Sequence, residues 1–194
     1  MTMVIRDLIA IGASTGGTDA ILEVVKDLPA ETPGIVVTQH MPGGFTKMYA
    51  ERLDRICHMR VREAVNGDVV EKGLILIAPG GFQMRVTRIG TGYRVSVTEE
   101  PRFNGHAPSV DVLFNSVADN AGSRALGVIL TGMGADGAQG LLRMHQKGAY
   151  TFGQDKESCI VYGMPMEAYK IGAVDRQAPV TSIGSLLLQE LGMR

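Results

Sequence analysis

Leu8-Ile9-Ala10-Ile11-Gly12-Ala13-Ser14-Thr15-Gly16-Gly17 decides the fold class. Its opening apolar run has no polar break and stops at a glycine-rich turn, as a strand covered on both faces of a parallel sheet does. Downstream, Ile21, Val24, Val25 and Leu28 recur at helical spacing, and Pro29 closes that helix. Ile35-Val36-Val37-Thr38-Gln39 reads as a second strand. After the Met41-Pro42-Gly43-Gly44 loop, Phe45, Met48, Tyr49, Leu53 and Ile56 give a second amphipathic helix. The order β-α-β-α predicts a doubly wound α/β fold with a mostly parallel sheet and flanking helices.

Further along, residues 61–65 and 74–77 read as strands on either side of an Asn66-Gly67 turn. Residues 83–89 and 93–98 alternate around Gly90-Thr91-Gly92, which predicts an antiparallel β-hairpin near one edge of the main sheet. A helix over 110–118, a buried strand over 126–130 and a helix over 137–147 follow. The tail is expected to hold a short strand near 149–152, helical stretches around Cys159 and Met166, and a last helix through Leu186 and Leu191. No repeat, low-complexity tract or linker divides the chain, so residues 1–194 are read as a single domain.

Composition narrows the function. The 194 residues are 45% hydrophobic and 20% charged, a globular balance, and the formal net charge of -1 supplies no basic field for nucleic acid. Cys57 and Cys159 form neither a disulfide framework nor a C-x-x-C metal spacing, which fits a reducing compartment. No apolar run reaches the length of a membrane span, and the first residues lack the pattern of a signal peptide. A cytoplasmic protein without membrane insertion is expected.

In an open α/β sheet ligands bind beyond the carboxyl ends of the strands, so the residues after each apolar run are the candidates. Those ends supply Ser14, His40 and Asp136. Gly12-x-Ser14-x-Gly16 has the spacing of a nucleophile elbow, though the same spacing serves a phosphate-binding turn or a helix N-cap. The dinucleotide version fails, because Ser14 replaces the central glycine of that fingerprint. A serine needs a base within reach, and His40 at the next strand end can approach it. His58 falls near a helix end and His145 inside an amphipathic helix; His106, in a loop, is the rival. Asp136 would accept the Nδ1 proton of His40, or merely cap a helix, with Asp111 as the alternative acid. The backbone N–H groups of Thr15 and Met133 are the candidate oxyanion donors. The chain order Ser, His, Asp departs from that of ordinary α/β-hydrolases.

Taken together, Ile9 to Gly17, Gln39-His40-Met41, His106 to Phe114, Leu130 to Gly137 and Ser158 to Pro165 resemble the catalytic domain of the protein-glutamate methylesterases of bacterial chemotaxis. The resemblance implies hydrolysis of glutamate methyl esters on the cytoplasmic helices of methyl-accepting chemotaxis receptors, with glutamine deamidation at similar sites. It implies no metal and no organic cofactor. The family's usual N-terminal receiver domain is absent from this sequence, and the single domain is expected to be the catalytic one. An ester on a rod-like helix calls for an open cleft, for which Gly43, Gly44, His106 and Pro108 are the lining candidates beside Ser14, His40 and Met133. A non-catalytic receptor-binding module on the same fold and a general small-ester hydrolase are the competing readings.

Overall fold

Strand β1 (Leu8–Ala13) lies at the centre of a seven-stranded sheet in a computed structural model that describes residues 4–193. It is joined through helix α1 (Gly17–Val25) to β2 (Ile35–Gln39), and through α2 (Phe45–Asp54) to β3 (Arg60–Glu63). Then come β4 (Val69–Val70), β5 (Leu74–Ile77) and the hairpin β6 (Gln83–Ile89) and β7 (Gly92–Thr98). Helix α3 (Val110–Asn120), β8 (Ala125–Ile129), α4 (Ala138–Gln146) and β9 (Tyr150–Gln154) follow, and α5 (Met164–Lys170), β10 (Arg176–Ala178) and α6 (Val180–Glu190) complete the chain.

The main sheet runs β10-β9-β8-β1-β2-β5-β3, and every pairing within it is parallel. Alternation along the strands feeds two cores. Leu8 and Ala10 of β1 pack with α3, α4 and the hairpin on one face, while Ile9 and Ile11 pack with α1, α2 and α6 on the other. After β1 the chain builds outward on the β2 side, then returns to β8 on the opposite side. The strand order therefore reverses beside β1, where ligands of such sheets bind.

The hairpin joins β4 in a separate three-stranded antiparallel sheet and contributes Met84, Val86, Tyr93 and Val95 to the first core. The open edge of β6 is closed by α3. Val86 N–H donates to Ser116 Oγ at 2.9 Å, and Arg88 N–H donates to Asn120 Oδ1 at 3.0 Å. The expected helical stretch at Cys159 does not form. Thr131 Oγ1 accepts from Val161 N–H, and Gly132 N–H donates to Val161 C=O, so this segment runs as a turn and bends fastened to the end of β8, with one isolated bridge from Tyr162 to Gly132. These tertiary bonds satisfy the backbone that a helix would otherwise pair. The second expected stretch is present as α5. No described helix is long and apolar enough to cross a membrane.

Candidate active site

The register places the three chemical residues. Ala13 pairs with Gln39 in the last rung of β1 and β2, so Ser14 and His40 leave neighbouring strand ends together. Asp136 follows β8 on the other side of β1. The turn at Ser14 is shaped by Gly16, whose φ of +81° precedes α1 and suits a residue without a Cβ. Gly12 serves packing instead. A Cβ there would sit 2.2 Å from Val110 Cγ1, so its absence lets the start of α3 approach β1.

His40 Nε2 lies 2.6 Å from Asp136 Oδ2. This corrects the expectation of an Nδ1 contact, and the sheet order explains why. From β2 the imidazole must reach past β1 to the β8 loop, and Nε2 is the ring nitrogen farther from its own backbone. Donation from Nε2–H leaves Nδ1 as the lone-pair nitrogen. That Nδ1 is buried without a hydrogen-bond partner.

The carboxylate of Asp136 is held at the start of α3, not at its own helix. Oδ1 accepts from Ser109 Oγ at 2.8 Å and from Asp111 N–H at 3.1 Å, while Oδ2 also accepts from Val110 N–H at 2.8 Å. An anion at a helix N-terminus meets unpaired N–H groups and the positive end of the helix dipole. Burial pushes the Asp136 pKa upward, but the bonds from His40, Val110, Asp111 and Ser109 outweigh it and the net shift is down. Ser109 Oγ additionally caps α3 by accepting from Val112 N–H.

His106 is brought onto His40 as a stacked ring, with centroids 3.7 Å apart and planes 8° from parallel. Burial foremost, then His40 and Arg102, lower its pKa against the opposing charge of Asp136. A cavity of about 240 Å³ opens here, lined by His40, Met41, Pro42, Arg102, His106 and Pro108 among others. Gly43 and Gly44 are exposed but lie outside that lining, and Gly43 packs towards Gly80. Met133 is 68% exposed and lies outside that lining. Among the described residues, the N–H groups of Thr15 and Met133 donate no hydrogen bond.

His40, His106 and Asp136 offer ligand atoms within 4.8 Å of one another. They suit a metal ion poorly. Parallel stacked imidazoles direct their lone pairs into separate planes, and both oxygens of Asp136 are already engaged by N–H and O–H donors. Asp111, the alternative acid, is turned away: Oδ1 accepts from Gly140 N–H at 2.7 Å and Oδ2 from Asn104 Nδ2 at 3.0 Å. Ser109 is not among the sequence candidates, although a serine just before an apolar helix signals an N-cap. What that signal lacks is the distant carboxylate the same hydroxyl serves.

A family model described as CheB methylesterase matches residues 9–187. The chain is 56% identical over 180 residues to a protein-glutamate methylesterase/protein-glutamine glutaminase of Syntrophomonas wolfei, covering 93% of this chain and 53% of that protein. It is 50% identical to a protein of Pseudomonas aeruginosa with the same description, covering 96% and 54%. The chain thus spans about half the length of these relatives. Among solved structures, the Thermotoga maritima CheB methylesterase catalytic domain superposes with a TM-score of 0.92 at 35% identity, covering 96% of this chain and 99% of that one.

Proposed function

The chain belongs to the CheB methylesterase family, and on that premise we propose that residues 1–194 form one catalytic domain, a serine hydrolase of glutamate methyl esters on chemotaxis receptors. The observation that carries the reading is His40, which follows the strand next to the one that Ser14 follows, and whose Nε2 is engaged by a buried carboxylate while its Nδ1 makes no hydrogen bond. A base needs this polarity: one nitrogen fixed, the other free to take a proton.

In the proposed reaction Ser14 Oγ attacks the ester carbonyl as its proton passes to His40 Nδ1. The resulting oxyanion accepts hydrogen bonds from the Thr15 and Met133 N–H groups. Asp136 stabilises the imidazolium without taking its proton. Collapse breaks the bond to the methoxy oxygen, which receives the proton from His40 and leaves as methanol. Water, deprotonated by His40, then attacks the acyl-enzyme and releases the glutamate carboxylate and Ser14. With a glutamine substrate the leaving group is ammonia, a reading supported by the glutaminase activity named for the relatives. No step calls on a metal or cofactor.

The substrate side chain projects from the cytoplasmic helices of a methyl-accepting receptor, so the domain would act in the cytoplasm. The cavity between His40, Pro42, Arg102 and Pro108 would receive part of that rod. Methanol release from a methylated receptor tests the proposal. Ser14→Ala is expected to lower it by about 10⁴-fold or more, and near-normal release by that variant would remove Ser14 from the mechanism. A helical methylated fragment should also outperform a short methylglutamate peptide in kcat/KM, since remote contacts align the ester. Equal values would favour a general esterase.

A further inference from the structure

Three glutamines are buried at strand ends around the site: Gln39 at 3%, Gln83 at 1% and Gln154 at 1% exposure. Each spends its side-chain amide on loop backbone. Gln39 Nε2 donates to the C=O of Ser14 at 2.8 Å, tying the end of β2 to the turn after β1. Gln154 Oε1 accepts from Thr131 N–H at 2.8 Å, while its Nε2 donates to Ser158 C=O.

Gln83 uses both ends of its amide on the segment that surrounds His40. Its Nε2 donates to His106 C=O and its Oε1 accepts from Ser109 N–H, each at 2.9 Å. Beside it, Gly81 N–H donates to Ala107 C=O at 2.9 Å. One end of the clamped segment carries the ring stacked on His40. The other carries Ser109, whose hydroxyl, with the next two N–H groups, holds the Asp136 carboxylate. Gln83 itself belongs to the antiparallel sheet and lies outside the cavity lining.

We propose that Gln83 is a positioning residue for the His40–Asp136 pair: its amide fixes the distance between the stacking ring and the carboxylate's donors, and so sets the base from two sides. The proposal rests on the esterase reading for its kinetic consequence, but its structural core does not. The charged or titratable groups facing His40 are Asp136, His106 and Arg102, with Asp111 behind Asp136. Freeing the 106–109 segment alters the placement of the first two.

The experiment uses the whole chain with ¹⁵N- and ¹³C-labelled histidine and glutamine. In Gln83→Met, which keeps length but removes both hydrogen bonds, the ring ¹⁵N resonances of His40 should shift and the His106 midpoint, lowered by burial and by His40, should move as the stack loosens. kcat should fall about tenfold or more with KM nearly unchanged, because a small misplacement of a catalytic group is costly. In Gln83→Glu the carboxylate adds negative charge near both rings, and the His106 midpoint should rise. If Gln83→Met does not fold, the wild-type protein still decides. Its Gln83 side-chain amide resonances should be protected from exchange and should move as His106 titrates. Unchanged His40 ring resonances and an unchanged His106 titration in folded variants, or a Gln83 amide that exchanges freely in wild type, would overturn the proposal. Altered titrations without any methanol release would leave positioning intact and sink the esterase reading instead.

Discussion

Two buried aspartates exchange places at the start of two packed helices. Asp136 precedes α4 yet its carboxylate sits at the N-terminus of α3, while Asp111, in the first turn of α3, accepts from Gly140 N–H in α4. Their surroundings look alike, but their pKa values move in opposite directions. Asp136 is lowered, because hydrogen bonds from His40, Val110, Asp111 and Ser109 overcome burial. Asp111 is raised, because burial, with the nearby charge of Asp136 adding to it, outweighs the Gly137 and Gly140 N–H groups and Asn104. The difference lies in the partners. A carboxylate held by a histidine as well as by a helix start remains ionised, ready to stabilise an imidazolium.

The largest expected effect separates the two outright. Asp136→Asn should lower methanol release by about 10⁴-fold, by analogy with serine proteases, whereas Asp111→Asn should leave turnover nearly unchanged. Reversed results would make Asp111 the orienting acid. Ser109→Ala removes one donor to the Asp136 carboxylate and the cap of α3. A hydrogen bond to a charged group contributes about 1.5–3 kcal/mol, so turnover should fall by about tenfold to at most about a hundredfold, with a stability loss of about 1 kcal/mol. Normal activity in this variant would mean that the two backbone N–H groups suffice.

The smallest effect is on stability against pH. Asp136, with its folded pKa depressed, contributes stability present above the unfolded value of about 3.9 and lost as pH falls through the folded pKa. Asp111 has the opposite sign: its raised folded pKa makes stability fall as pH rises from about 3.9 to that folded value. Chemical denaturation across this range should therefore show Asp111→Asn losing the decline above the unfolded pKa and Asp136→Asn losing the rise below it. Curves parallel to wild type in both variants would break the comparison.

The parallel sheet is legible in the sequence because Leu8–Ile11, Ile35–Val37 and Leu74–Ile77 are uninterrupted apolar runs, a pattern that only two-sided burial explains. β10 is illegible: Arg176 and Gln177 carry no such pattern, and the strand exists because β9 offers it a partner. Ser14, His40 and Asp136 can be picked out because each follows a strand. Which nitrogen of His40 meets Asp136 cannot, since it depends on β1 lying between β2 and β8. Ser109 and Gln83 are hidden for a related reason: their partners are 27 and 26 residues away along the chain, and local spacing carries no trace of them.

The central claim is that Ser14 is the nucleophile activated through His40. Its most direct test is the mass and site of the adduct formed with a serine-directed phosphonate. A single adduct on Ser14 is expected, and its formation should be strongly slowed in Asp136→Asn, where the orienting carboxylate is lost. Labelling elsewhere, or an unlabelled Ser14 in a preparation that releases methanol from methylated receptor, would contradict it.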